Sequence, residues 1–233
     1  MSNKRLLIKL SPGNNHLVNI LGSIDEKIEN NKKTIKYLEE LFSLKCQEFF
    51  LNLDKYEIKN LTDIAVFTNG LPMQKYRPKT SNHLKVLKIK ELGQGCCDSN
   101  SDTCDVHIDK SYIVNNGDVI FSWSGTLMVE IWKGETCGLN QHLYKVTSNN
   151  YPKWFYYYWL KFHLPNFKNI ASGKATTMGH IKKEDLIKSQ VKIPYNLANT
   201  EMFDSIIDKI VVINNENNKL KKLKSAYLKK FFG

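Results

Sequence analysis

The side chains in this sequence best suited to bind a metal or act as nucleophiles are its cysteines and histidines. Four of them fall close together, at Cys96, Cys97, Cys104 and His107. Their order invites a zinc reading. Zinc sites, however, usually offer two well-spaced pairs, and adjacent cysteines chelate one ion poorly. A polar turn carrying small residues, with no metal, is the expectation here. Cys46 and Cys137 bring the count to five, and an odd number without a secretion signal predicts reduced thiols. Asp118, Glu130 and Lys133 are the residue types of a nuclease's metal site. Their spacing does not fit one, and Asp118 closes the turn sequence Asn115-Asn116-Gly117-Asp118. The chain contains no glycine-rich phosphate loop, no G-x-S-x-G elbow, no H-E-x-x-H and no glycine-rich methyltransferase turn. The sequence therefore predicts no catalytic residues and no cofactor.

What remains is binding chemistry. Lys and Arg number 34 against 23 Asp and Glu, a formal charge of +11. Such a surplus favours a polyanion, either nucleic acid or an anionic membrane surface. With 42% apolar residues the chain is a packed protein and not a polybasic tail. No apolar run approaches the ~20 residues of a membrane span, and Lys4, Arg5 and Lys9 interrupt the opening residues where a signal peptide would be apolar. The expectation is a soluble cytoplasmic protein whose leading partner class is nucleic acid, with no membrane.

DNA phosphates are met by Lys, Arg and polar donors, and base edges by forked or amide side chains. Gln74, Lys75, Tyr76, Arg77 and Lys79 supply both kinds just after the turn Gly70-Leu71-Pro72. Arg77 is the best candidate for a guanine edge, because its fork bonds two acceptors at once. A second candidate loop lies between Gly173 and just past Gly179, with Lys174, Thr176, Thr177, His180 and Lys182. Lys174, Thr176 and Thr177 would clamp backbone or bases; His180 either joins them or serves as a structural histidine. Asn140-Gln141-His142 carries adenine-reading groups, but beside a strand it reads as a structural turn. Trp123 and Trp132 alternate with apolar neighbours and read as core, and the aromatic stretch from Trp154 to Trp159 as a buried helix face.

Two long segments must position these loops. Between residues 17 and 50, Ile28, Ile35, Phe42 and Phe49 recur every seven positions, and no Pro or Gly interrupts residues 23–50. Phe203, Ile210, Asn217, Lys224 and Phe231 repeat the pattern near the other end, with Asn199-Thr200 offering a cap before Glu201. The segments are also copies: aligning Phe49-Phe50 with Phe231-Phe232 pairs Ile24 with Ile206, Ile28 with Ile210 and Leu38 with Leu220. Their approaches match too, Ile8-Lys9-Leu10-Ser11-Pro12 against Val191-Lys192-Ile193-Pro194. The seams predict an antiparallel coiled coil. Asn31 and Asn217 break them, either as buried register-setting residues or as solvent-facing ones. Lys219, Lys221, Lys222, Lys224, Lys229 and Lys230 crowd the last helix; a solvated face, DNA phosphates and an acidic partner are all open readings.

Between the helices the texture is of short strands, with candidates at 85–89, 119–123, 129–132 and 143–146, and small helices at 156–162 and 183–188. The expected fold is α+β: a helical repeat over residues 1–55, a domain with a curved or barrel-like sheet over 56–197, and a second helical repeat over 198–233.

The motifs occur in an order that resembles one family. Phe67-Thr68-Asn69-Gly70-Leu71-Pro72 is followed by Val86-Leu87-Lys88-Ile89-Lys90-Glu91-Leu92, then by Asn116-Gly117-Asp118-Val119-Ile120-Phe121-Ser122 and Ser124-Gly125-Thr126. Gly138-Leu139-Asn140-Gln141-His142 and Ser172-Gly173-Lys174-Ala175-Thr176-Thr177-Met178-Gly179-His180-Ile181 complete it. With both helices this is similar to the specificity (S) subunit of Type I restriction–modification systems. The resemblance implies a target-recognition domain reading half of a bipartite DNA site. It also implies paired helices that act as spacer and as dock for methyltransferase (M) subunits, which recruit the restriction (R) subunit. Methyl transfer and cleavage then belong to those partners. A typical member has two recognition domains and this sequence has one, its first residues resembling the tail of an upstream domain. A homodimer or a separate half-subunit would supply the second reader. A free-standing DNA-binding regulator or decoy, a truncated relic, and a protein whose helices merely oligomerise stand as the other readings.

Overall fold

The computed structural model of the chain describes residues 12–173, 179–197 and 200–232. Residues 8–11 of the matched approach, and Asn199, lie outside the described residues. The chain runs α1 (Pro12–Leu51), β1 (Tyr56–Asn60), α2 (Leu61–Ile64), β2 (Val66–Asn69), β3 (His83–Leu87), α3 (Ile89–Gln94), β4 (Thr103–Asp105) and β5 (Ile113–Val114). It continues through β6 (Val119–Ser122), β7 (Met128–Ile131), β8 (Cys137–Leu139), β9 (Leu143–Thr147), α4 (Lys153–Ser172), α5 (Lys183–Ile187), β10 (Gln190–Pro194) and α6 (Glu201–Phe232).

The two heptad segments are α1 and α6, and they pair within one chain. Asp25 meets Lys224 at 2.6 Å and Lys27 meets Glu216 at 3.4 Å, while Phe42 and Phe49 sit against Phe203. Residue numbers rise along one helix as they fall along the other, so the pair is antiparallel. Ile24, Ile28 and Ile35 are buried on one side, Ile206, Ile210 and Ile213 on the other. Asn31 and Asn217 belong to this seam, only 6% and 5% exposed, and Asn31 Nδ2 donates to Asn217 Oδ1 at 2.9 Å and to Glu216 Oε2 at 2.8 Å. The buried alternative therefore holds: each polar intrusion satisfies the other.

The middle of the chain is layered. β2, β9, β6 and β7 form one antiparallel four-stranded sheet in that order. β4, β3, β8 and β5 form a second, in which β3 and β8 run parallel. Among the described residues the strands do not close into a barrel; the α+β domain is built from open sheets. β6 is buried on both faces because successive side chains point to opposite sides. Ile120 joins Leu87, Leu139, Leu143 and Trp132 between the sheets. Val119 and Phe121 face the larger core with α4.

That larger core is shared with the helical pair. The aromatic face of α4 packs on the α1–α6 junction, with Trp154 stacked on Phe203 at 4.3 Å and Phe50 on Tyr158 at 4.9 Å. Fully burying a side chain of this size stabilises by roughly 1.5–3 kcal/mol, so the helices and the sheet domain hold each other. A further element is absent from the sequence reading: β1 and β10 pair antiparallel over five residues, Tyr56 opposite Pro194 and Asn60 opposite Gln190. This ladder clamps the points where the chain leaves α1 and returns towards α6.

The cysteine-rich segment also differs from expectation. Cys104 is not in a turn but in β4, fully buried beside Met73, Val86 and Ile108. Its neighbours are apolar, and burial pushes its thiol up to about 11.

Candidate nucleic-acid interface

The first candidate loop is pinned by its backbone and free at its side chains. Where β2 ends, Gly70 N–H donates to the Leu143 carbonyl at 3.0 Å and Leu71 N–H to that of Leu139 at 2.9 Å. This approach requires glycine, because a Cβ on Gly70 would lie 2.2 Å from the Asn140 carbonyl oxygen. Met73 then anchors a 3-10 turn (Met73–Lys75) in the small cluster of Val86, Cys104 and Ile108. The Tyr76 carbonyl accepts from Asp105 N–H at 2.9 Å. Gln74, Lys75, Tyr76, Arg77 and Lys79 are all exposed on this fixed backbone. Gln74 and Arg77 line a cleft of about 320 Å³ with Ser101, Asp102 and Thr103. Asp102 is held below the usual carboxylate range, first by its hydrogen bond to Lys88 and also by the charge of Arg77.

The second loop is only partly placed: Lys174, Thr176 and Thr177 lie outside the described residues. Its far end returns to the sheet. Gly125 N–H donates to the Gly179 carbonyl at 3.0 Å, Ile181 N–H to that of Trp123 at 2.8 Å, and His180 bridges to Ser124. Gly179 also lies close to α4, where a Cβ would meet the Ala171 oxygen at 2.7 Å. His180 is half-buried with its ring edge-on to Trp123 at 6.5 Å. Lys182 is exposed, and its backbone N–H donates to Asp185 Oδ2 at 2.9 Å where α5 begins.

Between the loops lies a surface that the sequence did not single out. Trp123, expected in the core, is only half-buried. It follows the last residue of β6, at the sheet end where Asn69 closes β2 and His142 precedes β9. Its indole N–H donates to Asn69 Oδ1 at 3.0 Å, and its ring lies 5.8 Å from Tyr144 and 6.1 Å from His142. His142 Nδ1 is 3.0 Å from Ser124 Oγ. Strand alternation predicted an inward tryptophan, but the strand stops at Ser122, one residue earlier. The available signal was the cluster of polar residues at strand ends, Asn69-Gly70 and Ser124-Gly125. Asn140-Gln141-His142 is a side-chain-held turn: Asn140 is buried, donates to Gln141 Oε1 and accepts from His142 N–H. Trp132 and the Trp154 and Trp159 rings are buried.

Among the described residues no group of three or more His, Cys, Asp or Glu side chains is placed to hold a metal ion. Asp118 Oδ2 accepts from Asn115 N–H at 2.8 Å and so closes a turn, while Glu130 pairs with Lys161 at 3.3 Å and Lys133 at 3.9 Å. On α6, Lys222 pairs with Glu135 and Lys224 with Asp25, whereas Lys219, Lys221, Lys229 and Lys230 are exposed. The surface is one of cations, amides, a guanidinium and an indole on a rigid backbone. Groups of these types can pair with phosphates and with hydrogen-bonding edges.

A sequence profile described as the Type I restriction modification DNA specificity domain matches residues 53–225. The chain belongs to this family. No curated protein sequence matches it. Among solved structures, a Type I restriction–modification S subunit from M. genitalium shares the fold at TM-score 0.54 and 13% identity, over 91% of this chain and 56% of that one. The HsdS subunit from Thermoanaerobacter tengcongensis gives 0.47 and 17%, over 92% and 55%. A chain from a structure of complex assembly and conformational transition in the type I R-M system gives 0.46 and 17%, over 95% and 60%. The specificity-domain chain described here thus spans between 55% and 60% of the length of each of these. No described helix is long and apolar enough to cross a membrane.

Proposed function

We propose that this chain is the non-catalytic, DNA-reading component of a cytoplasmic Type I restriction–modification complex. Residues 56–197 form its recognition unit and read one half of a bipartite site in double-stranded DNA. Arg77 and Gln74 meet base edges. Lys75, Lys79, Lys174 and Lys182 meet phosphates, with Tyr76, Thr176, Thr177 and His180 as polar contacts beside them. The α1–α6 pair is the spacer and the dock for M subunits, which carry the methyl-transfer chemistry and bring in the R subunit. The specificity-domain match over residues 53–225 carries this reading. The formal charge of +11 and the exposed 74–79 side chains support it.

Helix length bears on the second half-site. At ~1.5 Å per residue the 40 residues of α1 make a rod of about 60 Å. A DNA turn is about 34 Å, so a reader at each end of such a spacer reaches half-sites more than one turn apart. A second copy of this chain, or a separate half-subunit, supplies the other reader. The test is co-expression with the M subunit encoded nearest to it and mapping of methylated bases across the host DNA. A palindromic bipartite motif supports two identical readers, and a non-palindromic one a different partner chain. Absence of methylation by a folded, DNA-binding chain overturns the proposal in favour of a regulator or relic.

A further inference from the structure

The thiols are not distributed as inert core residues. Cys97, half-buried in the loop after α3, packs against the cluster that contains the fully buried Cys137 of β8. Its Sγ lies 3.9 Å from the carbonyl oxygen of Val86 on β3. Cys137 is the register partner of Lys85, the residue before Val86. The two thiols are side-chain hydrogen-bond partners. Cys97 also lines an open cleft of about 420 Å³ together with Cys96, Lys85, Lys221 and Lys222. One sulfur thus lines an open cleft whose wall carries Lys85, Lys221 and Lys222 together with Asp98 and Glu135, and the other packs behind it.

We infer that Cys97 and Cys137 form a peroxide-sensitive thiol pair that closes to an intramolecular disulfide. The Cys97 thiol is held below its ordinary value, first by its hydrogen bond with Cys137 and further by Ser101 and Lys85, which together outweigh burial and the charge of Glu91. The thiolate is the nucleophile in such chemistry, which places the first step at Cys97. Its sulfur attacks one oxygen of hydrogen peroxide; the O–O bond breaks, hydroxide leaves, and a sulfenic acid forms. The Cys137 sulfur then attacks the Cys97 sulfur, the S–OH bond breaks, and the Cys137 proton leaves with the hydroxyl as water. The Cys137 thiol is pushed up, first by its hydrogen bond to Cys97 and then by burial, so it serves as the resolving thiol and not as the first nucleophile. Cys46 is fully buried, and burial alone pushes its thiol up; Cys104 is also fully buried and raised. In a reducing compartment a bond of this kind is transient and signals oxidant. The loop it ties down leads into Ser101 and Asp102, which wall the Arg77 cleft.

The test uses the full chain, treated with hydrogen peroxide under native conditions and quenched with N-ethylmaleimide. Non-reducing peptide mapping by mass spectrometry should show a Cys97–Cys137 cross-link, with two of the five thiols lost to alkylation and regained on reduction. Cys97→Ser should abolish the link and Cys104→Ser should leave it. Complete alkylation of all five thiols after treatment overturns the proposal. So does a dominant Cys96–Cys97 or Cys97–Cys104 bond in the wild-type map, which needs no variant to fold.

Discussion

Replacing Asn31 by leucine should unbalance the helical seam in a way that a second replacement repairs. Asn31 donates to both Asn217 Oδ1 and Glu216 Oε2, and both asparagines are about nine-tenths or more buried. Leucine is close to asparagine in shape, so Asn31→Leu leaves the Asn217 carboxamide oxygen buried without its donor. An unsatisfied buried polar group costs about 1–3 kcal/mol. Asn217→Leu should cost somewhat less, because Asn31 keeps Glu216. The double variant removes donor and acceptor together and adds apolar surface to a seam of isoleucines, so it should be near neutral or more stable than wild type. A double-mutant cycle by urea unfolding should therefore return a coupling energy of about 1–3 kcal/mol. Glu216 offers a second reading: its carboxyl is held down first by the Asn31 amide and then by Lys27, so Asn31→Leu should move its NMR titration upward. Additivity of the two single effects within about 0.5 kcal/mol, with Glu216 unmoved, would refute the reasoning.

Three further outcomes are expected. Arg77→Ala should relax preference at one base position by about 1–3 kcal/mol, whereas Lys174→Ala should weaken all sequences alike and lower the salt slope by about one; binding titrations on DNA panels check this, and unchanged affinity and preference in both displaces the reading face. Gly70→Ala should destabilise by about 1–3 kcal/mol because its Cβ would run into the Asn140 backbone. Gly22→Ala, in an open stretch of α1, should stabilise by roughly 0.5–1 kcal/mol; equal shifts in denaturant midpoint would contradict both. His163 donates its Nε2–H to the Gln190 carbonyl at 2.9 Å, and burial lowers it below the ordinary 6.5. A histidine lowered on folding adds stability above 6.5 that is lost as pH falls through its folded value. The wild type should therefore soften below about pH 6.5 and His163→Gln should flatten that limb; parallel pH–stability curves for the two would sink the assignment.

The sequence by itself determined the elements whose signal is local. Sevenfold spacing of Ile28, Ile35 and Phe42 marks a helix because side chains three and four apart share a face, and α1 and α6 lie where that spacing runs. The same holds for the strands around Val119 and Leu143 and for the missing catalytic motifs, since a nucleophile elbow or phosphate loop is itself a short contiguous pattern. Tertiary structure alone decided what each apolar or polar face meets. The buried role of Asn31 depends on Asn217 standing opposite it, 186 positions away. The β1–β10 ladder joins segments from either side of the domain, and nothing in Tyr56 or Pro194 names the other as partner. Trp123 was misplaced for the same reason: alternation gives the side a residue faces while the strand lasts, but only the packed sheet sets where the strand stops. Cys97 and Cys137 likewise come together because the loop after α3 folds back onto β3, beside which β8 runs. Periodicity encodes one side of a contact; the identity of the other side comes from the fold that brings distant stretches together.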